Sequence, residues 1–278
     1  MAKMSSTKTR PNVIGGAFGW LWLAIIILPI YYIVVTSFRP REDYYQENPL
    51  SIPSSPTFSA YVQVLQNDFL LYIANSLFVT LASVVVTLIV CVMAAYVIVR
   101  RHSRTATGVF RLFLMGIAIP IQATIVPVYL IIVWLGLYDT LWALILPSIG
   151  FAIPITILIL TNFMRDIPKE LYESMTVDGA GDIKILLQLV LPLSRPALVT
   201  VGIYDALQVW NGFLFPLILT QSANKRVMPL SLWSYQGEFM MDVPAILAAV
   251  ILSVIPIFAA YVVGRKQMVA GLTVGFGK

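Results

Sequence analysis

The stretch IANSLFVTLASVVVTLIVCVMAAYVIV, residues 73–99, decides the fold because it contains no charged residue. A bilayer core needs about 20 consecutive apolar residues of α-helix, so this stretch can cross a membrane. Other apolar stretches of similar length lie on both sides of it in the chain. The predicted spans are residues 15–37, 73–99, 107–135, 140–164, 196–220 and 244–264. We therefore expect an all-α, polytopic membrane protein with six transmembrane helices.

The composition agrees with a membrane protein. Hydrophobic residues make up 59% of the 278 residues and charged residues only 11%, with a mean hydropathy of +0.87. A transmembrane β-barrel is excluded because its strands alternate in polarity, whereas Leu21–Leu28 and Ala245–Leu252 are continuously apolar. The lipid bilayer is therefore the expected surrounding of the chain.

The distribution of positive charge predicts the orientation. If the amino terminus lies inside, only four of the eighteen Lys and Arg residues lie outside, namely Arg39, Arg41, Lys225 and Arg226. Cytoplasmic loops of membrane proteins carry an excess of Lys and Arg, so both termini are expected in the cytoplasm. The net charge of +5 is thus explained by topology, and no nucleic-acid partner is expected.

The chain is expected to form a single transmembrane domain, residues 1–278, with three long connections. Two of them, about 38–72 and 221–243, are expected outside the cell, and the third, about 165–195, in the cytoplasm. Long ordered loops in compact proteins usually carry function. The cytoplasmic connection, together with the proline that follows it, has the sequence RDIPKELYESMTVDGAGDIKILLQLVLPLSRP, residues 165–196. Pro168 predicts a helix start, Asp178-Gly179 a break, and residues 182–191 a second amphipathic helix.

This connection resembles the signature loop of importer permeases of the ATP-binding-cassette (ABC) class, written Glu-Ala-Ala, three variable positions, then Gly. Glu173, Ser174 and Met175 stand at its start and Gly179 at its end. Ser174 and Met175 replace the two alanines and make the helix surface bulkier. Other elements resemble the carbohydrate-uptake (maltose-type) members: Ser37–Pro40, Asn75-Ser76, Leu135–Leu137, Leu191–Pro196, Trp210-Asn211 with Phe213, and Gln267 with Gly271–Thr273.

The resemblance implies a cytoplasmic coupling helix, residues 170–178, that transmits motion from separate ATPase subunits. The residues implied in this coupling are Glu170, Glu173, Ser174, Met175, Asp178, Gly179 and Ala180. The tail is implied to approach the ATPases through Gln267, Gly271, Leu272 and Thr273. The alternative is an ordinary surface helix whose carboxyl end is capped by Gly179.

The resemblance also implies the partners and the location. They are a second permease subunit in a heterodimer, two ABC ATPase subunits and an extracytoplasmic substrate-binding protein, in a bacterial or archaeal cytoplasmic membrane. ATP and Mg are expected on the ATPases, since the closest approach to a phosphate-binding loop here, Gly271–Lys278, has the wrong spacing. We expect no cofactor, metal site or catalytic residue in this chain, and no enzyme activity.

The fifth predicted span carries the candidate translocation pathway. Asp205 lies near its middle, where an ionisable residue is costly and is expected to face protein or water. At 100° per residue, Asp205, Gln208 and Asn211 form one polar arc. Tyr204 or Trp210 offers an aromatic face, and Gln122 is a weaker lining candidate. The alternative is that Asp205 and Gln208 hydrogen-bond to a neighbouring helix or to the partner subunit.

Two other functions compete with the permease subunit. A self-sufficient, ion-coupled secondary transporter normally shows inverted repeats and several membrane-embedded charges, for which Asp205 alone is thin support. A membrane-embedded enzyme needs a catalytic set that the sequence does not provide.

Overall fold

A computed structural model describes residues 13–101, 103–235 and 241–276 of the chain, with the side chains of residues 13, 234 and 266–276 left outside the description. Within these ranges the regular structure is helical, with no β-strand. The α-helices are α1 (Val13–Ser37), α2 (Ser59–Gln66), α3 (Phe69–Arg100), α4 (Arg104–Met115), α5 (Ile125–Trp134), α6 (Trp142–Arg165), α7 (Lys169–Val177), α8 (Asp182–Ile185), α9 (Leu191–Leu193), α10 (Arg195–Trp210), α11 (Leu214–Leu219), α12 (Met228–Ser231) and α13 (Val243–Phe276). A π-helical segment, Leu186–Val190, joins α8 to α9.

Four of the described helices are long and apolar enough to cross a membrane. They contain the segments Ile14–Ser37, Phe69–Arg100, Trp142–Arg165 and Val243–Arg265. Two bent pairs of helices, Arg104–Ala118 with Ile121–Trp134 and Asp182–Leu193 with Arg195–Trp210, raise the number of crossings to as many as six if each pair is one span. The all-α, multi-pass membrane fold predicted from the sequence is therefore confirmed.

The third predicted span, residues 107–135, is broken at Pro120. Two helical segments, Arg104–Ala118 and Ile121–Trp134, meet there at 97°. Proline has no backbone N–H to donate and forces the preceding residue out of the helical conformation. Ile119 accordingly has an extended backbone, with φ −83° and ψ 113°.

The fifth predicted span, residues 196–220, is interrupted after Trp210. The N–H of Gly212 donates to the carbonyl of Val209 at 3.1 Å, in place of the helical partner. A β-carbon on Gly212 would lie 3.1 Å from the same oxygen, so the backbone turns more tightly here than most side chains allow. The chain resumes as a short helix, α11.

The chain divides into two compact units. One comprises the described residues of Met1–Asn67 and Tyr235–Ile251, and the other those of Asp68–Ser234 and Leu252–Lys278. In the first unit the fully buried Arg39 forms an ion pair with Glu47 at 3.1 Å and donates to the carbonyl of Ser51 at 2.8 Å. These bonds fold the connection after α1 back on itself.

The second unit is built on α3, which packs against α6 and α10. Its described residues include two buried clusters. We call the first the Tyr172 core, formed around Cys91, Tyr96, Leu160, Tyr172 and Ile185. The second contains Val79, Ile132, Leu144, Phe215 and Leu219. The functional candidates lie in this unit.

Candidate functional site: a loop helix and a polar cavity

Helix α7 occupies the position of the predicted coupling helix and is terminated by a glycine turn. Its N-terminal turn carries Glu170, whose charge suits the positive end of the helix dipole. At the other end, the N–H of Ala180 donates to Met175 O at 2.9 Å and that of Gly179 to Thr176 O at 3.0 Å. This pair of hydrogen bonds requires a residue with a left-handed backbone conformation after the helix, and Gly179 has φ +77°.

One face of the loop is buried against the membrane helices. Tyr172, Ala180 and Ile185 are 4%, 9% and 1% exposed. They pack in the Tyr172 core with Leu160 and Met164 of α6. The loop is therefore an ordered part of the second unit.

The opposite face of the loop is free of intramolecular packing. Most of the predicted coupling residues are on it, since the structure leaves Glu170, Glu173, Ser174, Asp178 and Gly179 exposed. Val177 is 87% exposed beside them. Two members of the predicted set lie elsewhere, because Met175 packs partly against the Tyr172 core and Ala180 is buried in it.

Polar contacts that the sequence reasoning missed fasten the loop to α3. The guanidinium of Arg100 lies 5.3 Å from the ring centre of Tyr172, and its Nη2 donates to Thr176 Oγ1 at 3.5 Å. The hydroxyl of Tyr96 donates to Asp182 Oδ1 at 2.9 Å. Burial raises the pKa of Tyr172, and the nearby Arg100 charge opposes the shift. No local sequence pattern could have found this contact, because Arg100 and Tyr172 are 72 residues apart.

Besides the loop that contains α7, the second unit has a cavity of about 300 Å³. Four of the predicted pathway residues line it together: Tyr204, Asp205, Gln208 and Asn211. Other lining residues are Ser76, Val79, Thr80, Ile121, Leu144, Ser148, Phe151, Ala152, Ile155, Val209, Gly212, Phe213, Leu214, Phe215, Pro216 and Val227. The wall thus combines polar groups with aromatic rings.

Asp205 is held in place by a neighbouring helix. It is 2% exposed, and its Oδ2 accepts a hydrogen bond from Thr156 Oγ1 of α6 at 2.9 Å. Asp205 therefore both lines the cavity and makes the interhelical bond that the alternative interpretation predicts. Gln208 is more open to the cavity, and its Nε2 contacts the Tyr204 hydroxyl at 3.4 Å.

Some predicted site residues do not lie at the cavity. Trp210 is 5% exposed and is absent from the lining, because it projects roughly 140° around α10 from Asp205. Gln122 is exposed, whereas its neighbour Ile121 lines the cavity. Gln267, Gly271, Leu272 and Thr273 belong to α13, but their side chains lie outside the described residues.

The described residues hold no cluster of three or more His, Cys, Asp or Glu side chains arranged for a metal ion. The polar groups of the cavity come instead from carboxyl, amide and hydroxyl groups on α3, α6 and α10. Such groups can hydrogen-bond a polar ligand without a cofactor.

A multi-pass helical chain with a polar cavity among its helices has the architecture of a membrane transport protein. The model of one family, described as binding-protein-dependent transport system inner membrane component, matches residues 87–266. This is well over half of the chain, so the chain belongs to that family. It is the membrane-spanning permease component of an ABC importer and not the ATPase.

Relatives match over almost the whole chain. A putative ABC transporter permease protein of Caldicellulosiruptor sp. is 38% identical over 255 residues, which cover 92% of this chain and 93% of the relative. A diacetylchitobiose uptake system permease protein of Streptomyces coelicolor is 28% identical over 274 residues, covering 98% and 90%. The predicted family is confirmed.

A solved structure has the same fold. A chain from a bacterial ABC transporter involved in the import of the acidic polysaccharide alginate superposes with a TM-score of 0.81 at 26% identity. The match covers 95% of this chain and 100% of that chain. The helix breaks described above therefore occur within a permease fold.

Proposed function

We propose that this chain is one permease subunit of a binding-protein-dependent ABC importer for a sugar or an oligosaccharide. In this proposal it crosses a bacterial or archaeal cytoplasmic membrane six times, with both termini in the cytoplasm, and residues 107–135 and 196–220 supply the two interrupted spans. The observation that carries the proposal is α7, which is seated on the membrane helices by one face while its other face is free.

The free face of α7 is the docking surface for an ATPase subunit. The exposed side chains of Glu173 and Ser174 supply polar contacts, and the exposed Val177 an apolar one. Two such ATPase subunits bind ATP with Mg and close on each other during the cycle. Because α7 packs against the Tyr172 core, its displacement moves the membrane helices as well.

The cavity forms this chain's half of the translocation pathway. Asp205, Gln208 and Asn211 offer acceptors and donors for sugar hydroxyls, and Phe151 and Phe213 offer apolar ring faces. A volume of about 300 Å³ is at the lower limit of small-molecule sites, so this half of the pathway has room for a small polar ligand. The rest of the pathway comes from a second, related permease subunit in a heterodimer.

The external partner is an extracytoplasmic binding protein that delivers the sugar. The outer connections, about residues 38–72 and 221–243, are the surfaces available to it. Relatives support a carbohydrate as substrate, since they include a multiple sugar-binding transport system permease protein of Streptococcus mutans, 29% identical over 255 residues.

The test is to express the chain with the products of its neighbouring genes, purify the complex and measure ATP hydrolysis. We expect an ATPase to copurify and one sugar-loaded binding protein to stimulate hydrolysis. The variant Glu173→Lys should abolish the stimulation, whereas Glu173→Gln, which keeps the shape, should retain part of it. A chain that purifies without an ATPase and transports down an ion gradient would instead support the secondary transporter.

A further inference from the structure

We propose that Arg100 is the residue through which displacement of α7 enters the membrane helices, that Tyr172 positions it, and that Tyr96 holds the loop to the same end of α3. This inference rests on the proposed role of α7 as coupling helix and names the residue that passes the displacement of α7 to α3. Its basis is a set of directional contacts between α7, α8 and the last turns of α3.

Arg100 holds α7 at two points on one face. Its guanidinium lies over the ring of Tyr172, 5.3 Å from the ring centre, and reaches Thr176 Oγ1 at 3.5 Å. Tyr172 and Thr176 are four residues apart, so they lie one above the other on the helix. A guanidinium that contacts both resists sliding as well as rotation of α7.

A second contact fastens the other side of the glycine turn. Tyr96 lies one turn before Arg100 on α3, and its hydroxyl donates to Asp182 Oδ1 at 2.9 Å. Asp182 is in the first turn of α8, beyond Gly179. One face of α3 therefore holds both arms of the loop, and the loop and this end of α3 move together.

Helix α3 leads from this contact to the cavity without a break. It is α-helical from Phe69 to Arg100, and Ser76, Val79 and Thr80 near its other end line the cavity. Arg100 and Thr80 are 20 residues apart, which corresponds to about 30 Å of helix. A displacement at Arg100 therefore reaches the cavity wall through one rigid element.

The loop also contacts α6. The Tyr172 hydroxyl donates to Met164 O at 3.4 Å, and side chains of both elements pack in the Tyr172 core. Helix α6 also contains Pro147 and Pro154, each of which removes a backbone hydrogen bond. Helix α3 is accordingly the stiffer connection.

The experiment measures the ratio of sugar uptake to ATP hydrolysis in the reconstituted complex. Arg100→Gln and Tyr172→Leu should each lower this ratio about tenfold, the size of a typical coupling between sites, while the ATPase still copurifies. Tyr172→Phe keeps the ring and should restore most of the ratio. Arg101→Gln is the matched control, because Arg101 is the exposed neighbour of Arg100. Tyr96→Phe removes one oxygen and should lower the ratio about threefold.

The outcomes separate this inference from the proposed function. If the wild-type complex lacks an ATPase or ATP-driven uptake, the proposed function fails. If the wild type is active and Arg100→Gln keeps its ratio, the inference alone is overturned. Loss of assembly in Arg100→Gln together with an unchanged ratio in Tyr96→Phe also overturns it, because the contacts would then hold the fold without transmitting motion.

Discussion

Replacement of Gly179 by alanine isolates the turn that ends α7. Gly179 has φ +77°, and a β-carbon built on it meets no atom within 4 Å. The change therefore introduces no clash, and its whole effect comes from the backbone conformation. The matched control is Gly181→Ala, since Gly181 also has open space around its β-carbon but an ordinary φ of −74°.

The size of the effect follows from these two angles. An alanine in the left-handed region costs about 1–2 kcal/mol. An alanine at a compatible angle stabilises by about 0.4–1 kcal/mol through the unfolded chain. The Gly179 and Gly181 variants should thus differ by about 2 kcal/mol in the free energy of the loop conformation.

The assay is the affinity of the purified ATPase subunit for the permease complex in lipid nanodiscs. A destabilisation of about 1.4 kcal/mol raises the ratio of competing turn conformations to the binding-competent one about tenfold, so the apparent Kd of Gly179→Ala should rise, by at most about tenfold. Gly181→Ala should bind as the wild type does. Equal Kd values for the two variants would refute the reasoning that the left-handed turn presents α7 to the ATPase.

Two further predictions concern buried and surface carboxyl groups. Thr156→Val leaves Asp205 without its 2.9 Å donor and should destabilise the protein by about 1–3 kcal/mol in thermal unfolding. Thr161→Val, on the same helix, removes a buried hydroxyl that has no hydrogen-bond partner and should be near neutral; a loss equal to that of Thr156→Val would count against the bond. Asp139 accepts hydrogen bonds chiefly from Ser222, which hold its pKa below the usual 3.8. The stabilisation is present above that value and is lost as the pH falls through the folded pKa, so Asp139→Asn should lower the Tm at neutral pH but not in acid. A Tm difference that persists in acid would contradict this assignment.

The sequence predicted the helical membrane fold because long apolar stretches have few alternatives in a bilayer. It did not place the helix breaks. Pro120 was visible within its stretch, but a proline can kink a helix slightly or break it at 97°, and tertiary packing decides between the two. The interruption after Trp210 depends on the local turn at Gly212, which carries no strong pattern.

The candidate site was predicted in part. Helical periodicity placed Asp205, Gln208 and Asn211 on one arc, and the structure brings all three to the same cavity. Periodicity could not find Thr156, the hydrogen-bond partner of Asp205, because it lies on another helix 49 residues away. The role of Arg100 was missed for the same reason, since a contact between distant segments leaves no local signal. The functional roles of all these residues stay predictions.

The most direct test of the central claim is sugar uptake by proteoliposomes that contain this chain and its copurified partners. With a sugar-loaded binding protein outside and ATP inside, we expect labelled sugar to accumulate, and no accumulation with a non-hydrolysable ATP analogue. Collapse of all ion gradients should leave the uptake unchanged. Uptake that ignores ATP and disappears with the ion gradients would contradict the account.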